Sequence, residues 1–323
     1  MVIRACKYLF IVVFFLTCLS SAAFSFDGPL QINNLYPIFL HADQPYLEKA
    51  DIENSVSFGL SHSSTYTVES SRDWDISLDM EITELSFRYK RIINNLFEFD
   101  LDIPVLVLSG GFMDAALEDY HDAFGFPDYG RKDRPHNDFL YEVRKDGNII
   151  IRGKTGTRLG DIRLAVKKPL MSADDYVLSI RGDIEVPVSS AEKGYSNGSL
   201  DTGFSMLFDK RISDSTMTYW NLGAVFPGDV KGHEDLDLKN YINGGLAVET
   251  RLRRNLNLIV QLHGQSEIYP DTGISAVDGR TFFIALGGRY YSGNSNYELS
   301  LTEDLNTSGS PDFIINFTYK HLL

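Results

Sequence analysis

Between Gly244 and Gly264 the chain reads GGLAVETRLRRNLNLIVQLHG, with apolar or small residues on alternate positions either side of Arg253-Arg254-Asn255. Leu246, Val248, Leu252, Leu256, Leu258, Val260 and Leu262 share one parity; Glu249, Arg251, Asn257, Gln261 and His263 share the other. A period of two is the mark of a β-strand, whose successive side chains leave opposite faces. The stretch therefore predicts a hairpin with one apolar and one polar face.

The same rhythm runs through most of the chain. It aligns Val56, Phe58 and Leu60, then Trp74, Ile76, Leu78, Met80 and Ile82. The parity then slips to Leu85, Phe87 and Tyr89, which predicts a bulge near Thr83. Asn94-Asn95 reads as a tight turn, followed by Phe97, Phe99, Leu101 and Ile103 against Glu98, Asp100 and Asp102. Further runs align Ile162, Leu164 and Val166; Tyr176, Leu178 and Ile180; Phe204, Met206 and Phe208; and Trp220, Leu222 and Phe226. The last three align Phe282, Ile284 and Leu286; Tyr297, Leu299 and Leu301; and Phe313, Ile315, Phe317 and Tyr319. Roughly twelve strands of about 9–13 residues result, the length that a tilted strand needs to cross a bilayer.

The connections alternate in length. Those at IINN, MSAD, KRISDS, RRN and SGNS are short; those at 109–156, 189–198, 227–237, 269–279 and 304–310 are mostly longer, with one brief break near Glu69–Arg72. Short turns at one end and long loops at the other are the habit of outer-membrane barrels. An even strand count would leave both termini on the periplasmic side. The polar face carries Glu98, Asp100, Asp102, Arg163, Arg181, Asp183, Glu249, Arg251 and Arg289, with Asp79 and Glu81 in the same role. Near the bilayer midplane a charge on the lipid side costs roughly 2–4 kcal/mol, so these residues are expected to line a lumen. The prediction is an all-β, transmembrane antiparallel up-and-down β-barrel of about twelve strands.

The N-terminus supports export. Arg4 and Lys7 precede the uncharged run YLFIVVFFL and the small residues SSAAFS, which read as a secretory signal peptide over residues 1–25. Both cysteines, Cys6 and Cys18, fall within it, so a processed chain would hold no disulfide, thiolate metal site or cysteine nucleophile. The net charge of −14 argues against nucleic acid, which needs a basic stripe. The 17 Tyr and 21 Phe suit the aromatic girdles of a barrel.

Two segments, FDGPLQINNLYPIFL at the processed start and FPDYGRKDRPHNDFLYEV in the longest loop, resemble an uncharacterised family of bacterial outer-membrane barrels, a domain of unknown function within the porin-like group. The resemblance implies a barrel in the outer membrane and no particular activity.

Residues 26–50 contain Pro29, Pro37 and Pro45, which disfavour a central strand. Their Ile32, Leu35, Ile38 and Leu40 favour packing, so this arm is expected as a plug in the lumen or a periplasmic extension, with the barrel proper over 51–323. The loop 109–156 predicts a short helix through FMDAALEDYHDAFG and a hairpin around Lys145–Gly147. Asp128, Arg131, Asp133, Arg134 and His136 gather there as candidates for a gate or a ligand contact, against a solvated cap whose charges pair among themselves.

Three motifs are set aside. RGKT follows Asn148 where a phosphate-binding loop needs glycine, the NGS, NTS and NFT sequons carry no weight in a bacterial barrel, and the seven histidines show no metal-ligand spacing. His62 and Ser64 share the parity of Leu60, which places them facing lipid near the outer end of the first strand. Outer-membrane phospholipase A carries a similar His-x-Ser pair, but here Thr65 and Tyr66 stand where that motif has Asn and Gly. A lipolytic enzyme using His62 and Ser64 is thus one alternative, and a non-transporting structural barrel is another. The leading expectation is a monomeric, narrow or gated channel for passive uptake of a small or amphipathic solute, without cofactor. Its expected partners are outer-membrane lipid, lipopolysaccharide and the barrel-assembly machinery.

Overall fold

The computed structural model describes residues 26–124, 134–306 and 308–323. Its strands are β1 (Ser55–Ser70), β2 (Trp74–Ile93), β3 (Phe97–Ser109), β4 (Leu140–Lys145), β5 (Asn148–Arg152), β6 (Gly156–Leu159), β7 (Ile162–Ser172), β8 (Tyr176–Val186) and β9 (Asp201–Ser213). They continue with β10 (Thr216–Phe226), β11 (Val230–Lys231), β12 (Asp235–Leu236), β13 (Tyr241–Arg253), β14 (Leu256–Gln265), β15 (Thr281–Ser292), β16 (Ser295–Asp304) and β17 (Phe313–Leu322). All pairings are antiparallel, and β17 closes onto β1 from Ser55↔Leu322 to Ser64↔Phe313.

Twelve strands form the closed wall. β6 and β7 lie end to end along β3 and act as one strand, broken at Gly160–Asp161. The β4–β5 hairpin extends the wall upward along β2, past the end of β3. The sheet outside this barrel is the small β11–β12 pair. No helix among the described residues is long and apolar enough to cross a membrane.

Loop lengths sort as the alternation implies. At the short-turn end, Asn94 and Asn95 both have positive φ, 53° and 56°, in the three-residue link between the paired Ile93 and Phe97, a left-handed geometry that matches the twist of the flanking strands. At the long-loop end, the helix Asp114–Phe124 occupies part of the 110–139 segment. Asp146 and Gly147, at φ 52° and 79°, turn the β4–β5 hairpin.

The outward face answers the opening pattern. Leu246's neighbours in parity, Leu252, Val260 and Leu262, are exposed, as are Leu222, Leu286 and Leu299 elsewhere around the wall. Between them, Glu249, Gln261 and His263 are buried inward.

β2 departs from the expected pattern. It runs 20 residues, and its register with β1 is continuous from Ser55↔Lys90 to Ser70↔Asp75, so no bulge interrupts it at Thr83. Unbroken alternation puts Trp74, Ile76, Leu78, Met80 and Ile82 on the same side as Arg88 and Lys90, which is the inside. These apolar residues are buried in a cluster with Tyr36, Ile38 and Phe39 of the arm. Asp79 and Glu81 consequently point away from the lumen. The physical reason is that this half of the interior is filled by apolar side chains, where hydrophobic inward residues gain as much as they would against lipid.

Candidate functional site

Residues 26–54 lie inside the barrel. Prolines keep them out of the sheet, and a 3-10 turn over Pro37–His41 is their only regular element. Backbone groups away from water must still be paired, and side chains of the wall do this. Leu30 N donates to Gln261 Oε1 at 2.9 Å, Asp43 N to Asp201 Oδ2 at 2.8 Å, Glu48 N to Asn221 Oδ1 at 2.8 Å, and Ala50 N to Asp209 Oδ2 at 2.8 Å. In return, the arm carbonyls of Lys49 and Ala50 accept from Lys167 Nζ (3.0 Å) and Ser179 Oγ (2.5 Å).

The interior divides into two halves. Toward the long-loop end the arm packs into the apolar cluster with Trp74, Tyr141, Tyr241 and Tyr269. Toward the short-turn end it is tied by ion pairs. Glu48 meets Arg88, which also bonds to Asp100, and reaches Lys90 at 2.5 Å. Asp27 and Glu53 lie 2.8 and 2.6 Å from Lys320, and Lys49 joins Glu53 at 2.5 Å. Beside the apolar half, Asp43 receives Arg163 Nε, while the two Nη atoms of that guanidinium reach Asp102 (3.3 Å) and Glu185 (3.4 Å).

The charges expected along the lumen find these positions. Glu98 pairs with Lys167 at 2.9 Å, and Arg289 bridges Glu249 (2.8 Å) and Glu298 (3.0 Å). Arg181 lies 3.9 Å from Asp100, and Asp183 is buried on the neighbouring inward position. Arg251 is only half-buried and stacks over the Phe26 ring at 5.6 Å. Sequence reasoning did not identify the arm residues Asp27, Asp43, Glu48 and Glu53 as partners of these groups. The acidic spacing of the arm against the basic inward positions of β2, β7 and β17 was the available signal.

Between the arm and the wall a narrow cleft remains, bordered on the arm side by Asn33, Leu35, Leu40 and Gln44. It reaches the wall where β3 changes partner from β7 to β6. Pro104 there supplies no N–H, and its carbonyl accepts from Gly160 N at 2.8 Å.

Of the loop residues, Asp128, Arg131 and Asp133 lie outside the described residues. Arg134 Nε donates to Asp79 Oδ2 at 2.6 Å and its Nη2 to Asp138 at 2.9 Å, while His136 pairs with Glu118 at 3.0 Å. Arg134 thus fastens the loop to the outward side of β2. Glu81 does the same, accepting from the amides of Phe112 and Met113. Hydrogen bonding to Asp79 holds the Arg134 guanidinium above its ordinary pKa.

His62 and Ser64 sit under this loop rather than against lipid. Ser64 is only 1% exposed, and the His62 ring stacks on Phe112 with centroids 5.2 Å apart. The imidazole Nδ1 meets Thr83 Oγ1 at 2.8 Å and Nε2 meets Glu81 Oε2 at 2.9 Å. Both nitrogens are therefore engaged, neither by Ser64, and the nucleophile–base contact that the lipolytic alternative requires is not made. The amides of Phe112 and Met113 both donate to Glu81 and so are not free to stabilise an oxyanion.

Known structures share this architecture. The COG4313 outer membrane channel from Pseudomonas putida F1 superposes with a TM-score of 0.55 at 11% identity, covering 88% of this chain and 100% of that one. The NanC porin matches at a TM-score of 0.48 and 8% identity over 84% and 99% of the two chains. The Ralstonia pickettii toluene transporter TbuX gives 0.42 and 9% over 92% and 96%. These likenesses are of fold. No curated protein matches the sequence. A family model described as a protein of unknown function (DUF3187) matches residues 6–322.

Proposed function

The chain belongs to the DUF3187 family of proteins of unknown function, a membership that carries no activity, and we propose from its geometry that it is a gated outer-membrane channel. Residues 26–54 are the plug, and a small or amphipathic solute passes between plug and wall. The long loops face outward toward lipopolysaccharide, both chain ends lie on the periplasmic side, and the barrel-assembly machinery inserts the processed chain. The loop carrying Asp128, Arg131, Asp133, Arg134 and His136 covers the outer mouth.

One observation carries this reading: the arm is held by side-chain contacts and not by a β-ladder. Its amides and carbonyls bond to wall side chains such as Gln261, Asp201 and Lys167, so it can shift without opening the barrel. A purely structural barrel has no need of a separately anchored interior segment with a cleft beside it.

Single-channel conductance in planar bilayers tests the proposal. The full processed chain should conduct weakly, and a variant lacking residues 26–50 should conduct severalfold more while keeping the heat-modifiable gel migration of a folded barrel. Equal, undetectable conductance in two folded forms would favour the structural alternative. Ester hydrolysis that disappears in Ser64→Ala would instead restore the lipolytic reading.

A further inference from the structure

Asp43 of the arm lies across β8. Its backbone N–H donates to Asp201 Oδ2 on β9 at 2.8 Å, while its carboxylate meets Arg163 Nε on β7. β8 pairs with both of these strands. Its inward residues at that level are Asp183, opposite Ala165 and Gly203, and Glu185, opposite Arg163 and Asp201. Gly203 leaves room for the Asp183 side chain, since a Cβ there would come within 2.2 Å of Asp183 Oδ2.

The charges around this point do not balance. β3 contributes Asp102, β9 Asp201, the arm Asp43, and β8 both Asp183 and Glu185, against the guanidiniums of Arg163 and Arg181. Tyr241 on β13 gives its hydroxyl hydrogen to the Asp43 carbonyl and not to a carboxylate. Arg163 spreads its nitrogens over Asp43, Asp102 and Glu185, and Arg181 lies 3.9 Å from Asp100. Asp201 accepts from Asn197 Nδ2 at 2.7 Å and Gly228 N at 2.8 Å, besides Asp43 N. Asp183 is left out. It is 4% exposed, and neither of its carboxyl oxygens has a donor; nor has Asp43 Oδ2. A carboxylate buried without donors takes up a proton instead of keeping its charge. Asp43 and Asp183 nonetheless meet in a side-chain hydrogen bond, which two carboxyl groups form only when one of them carries a hydrogen.

We propose that Asp43 and Asp183 share one proton, and that this acid–carboxylate bond is a latch between arm and wall that alkaline pH releases. While the proton is in place, the Asp183 O–H donates to Asp43 Oδ2, and Asp43 keeps its charge for Arg163. Loss of the proton to water leaves two buried anions in contact, Asp183 without any donor, and arm and wall repelling each other. Because the docked pair binds a proton that the separated carboxyls release, docking weakens as the pH rises. That the latch gates a solute path rests on the channel reading above; the shared proton does not.

Infrared difference spectra of the full processed protein in detergent test the proton directly. Wild type minus Asp183→Asn should show the C=O band of a protonated carboxyl at neutral pH, replaced by carboxylate bands at alkaline pH. Carboxylate bands already at neutral pH would overturn the shared proton. The latch is read by protease cleavage within residues 26–54, corrected for the protease's own pH dependence on an unfolded peptide. Wild-type cleavage should be several-fold faster at alkaline than at neutral pH. In Asp183→Asn, whose amide donates to Asp43 at either pH, cleavage should stay at the slow, neutral rate. Wild-type cleavage that ignores pH, or a folded Asp183→Asn that speeds up as the wild type does, would overturn the latch. Heat-modifiable migration identifies folded variants, and Asp183→Ser, a smaller donor, replaces Asp183→Asn if that variant does not fold. Neither measurement involves transport, so a failed latch and a failed channel are told apart by the conductance of the arm-deleted variant.

Discussion

Lys320 on the last strand donates from Nζ to Asp27 at 2.8 Å, 293 positions earlier in the chain, and the same ammonium meets Glu53 at 2.6 Å. Asp27 opens the arm and Glu53 closes it. One cation thus clasps both ends of a segment that climbs to the apolar half around Tyr36–Phe39 and returns to enter β1.

Lys320→Met should loosen this clasp. Removing one member of a buried ion pair leaves an uncompensated charge and usually costs about 3–5 kcal/mol. Here Lys49 remains within 3.2 Å of Asp27 and 2.5 Å of Glu53, so the loss should fall at the lower end of that range. The expected readout is faster protease cleavage within residues 26–54 and a lower temperature for the folded-to-unfolded gel shift. Wild-type behaviour in both would mean that the clasp does not hold the arm.

The register of β2 is open to a direct check by single cysteines in a Cys6→Ser, Cys18→Ser background. Continuous pairing puts Ile82 inside, 0% exposed, and Leu85 outside, 47% exposed. A membrane-partitioning maleimide should label Leu85→Cys and spare Ile82→Cys. Equal labelling would restore the bulge at Thr83.

That strand also marks where the sequence stops being legible. Alternation reports two faces but not which of them is inside. Charged inward positions such as Asp100 and Arg289 reveal themselves because hydrocarbon rejects them, and the twelve-strand wall follows from these together with the turn spacing. Trp74 to Ile82 look identical to lipid-facing residues, because a lumen filled by Tyr36, Ile38 and Phe39 is as dry as the bilayer. The same limit hid the surroundings of His62. Its parity was readable, but the cover supplied by Phe112 and the anchoring of the loop through Arg134 depend on a segment that folds back over the wall. The partners of the arm residues Asp43 and Glu48 were equally invisible, since the path of the arm is set by wall side chains and not by a period of its own.

The loop clasp on β2 yields a third prediction. Glu81 alone accepts two amides, of Phe112 and Met113, and pairs with His62. Glu81→Ala removes all three part-buried contacts, hydrogen bonds to a carboxylate whose net worth is at most about 1.5–3 kcal/mol each. The 110–139 segment should then be nicked by protease at least several times faster, with the barrel itself still resistant. Asp79→Asn, which keeps the shape but weakens the hold on Arg134, should show a smaller change in the same direction.

Acidification should release a different loop. Burial pushes the Asp278 carboxyl up, but hydrogen bonds from Thr272 Oγ1 and from the amides of Thr272 and Gly273 outweigh it, so its pKa lies below the ordinary 3.8. A carboxyl with a depressed folded-state pKa adds stability that is fully present above its unfolded value and is lost as the pH falls through the folded one. The 269–279 loop should therefore stay ordered down to about pH 4 and loosen below it. Hydrogen exchange at the amides of Thr272 and Gly273, corrected for the intrinsic pH dependence, should accelerate in that window. Asp278→Asn should show the faster exchange already at neutral pH and little further change on acidification. Unchanged protection of these amides in the variant at neutral pH would show that the carboxylate does not order the loop.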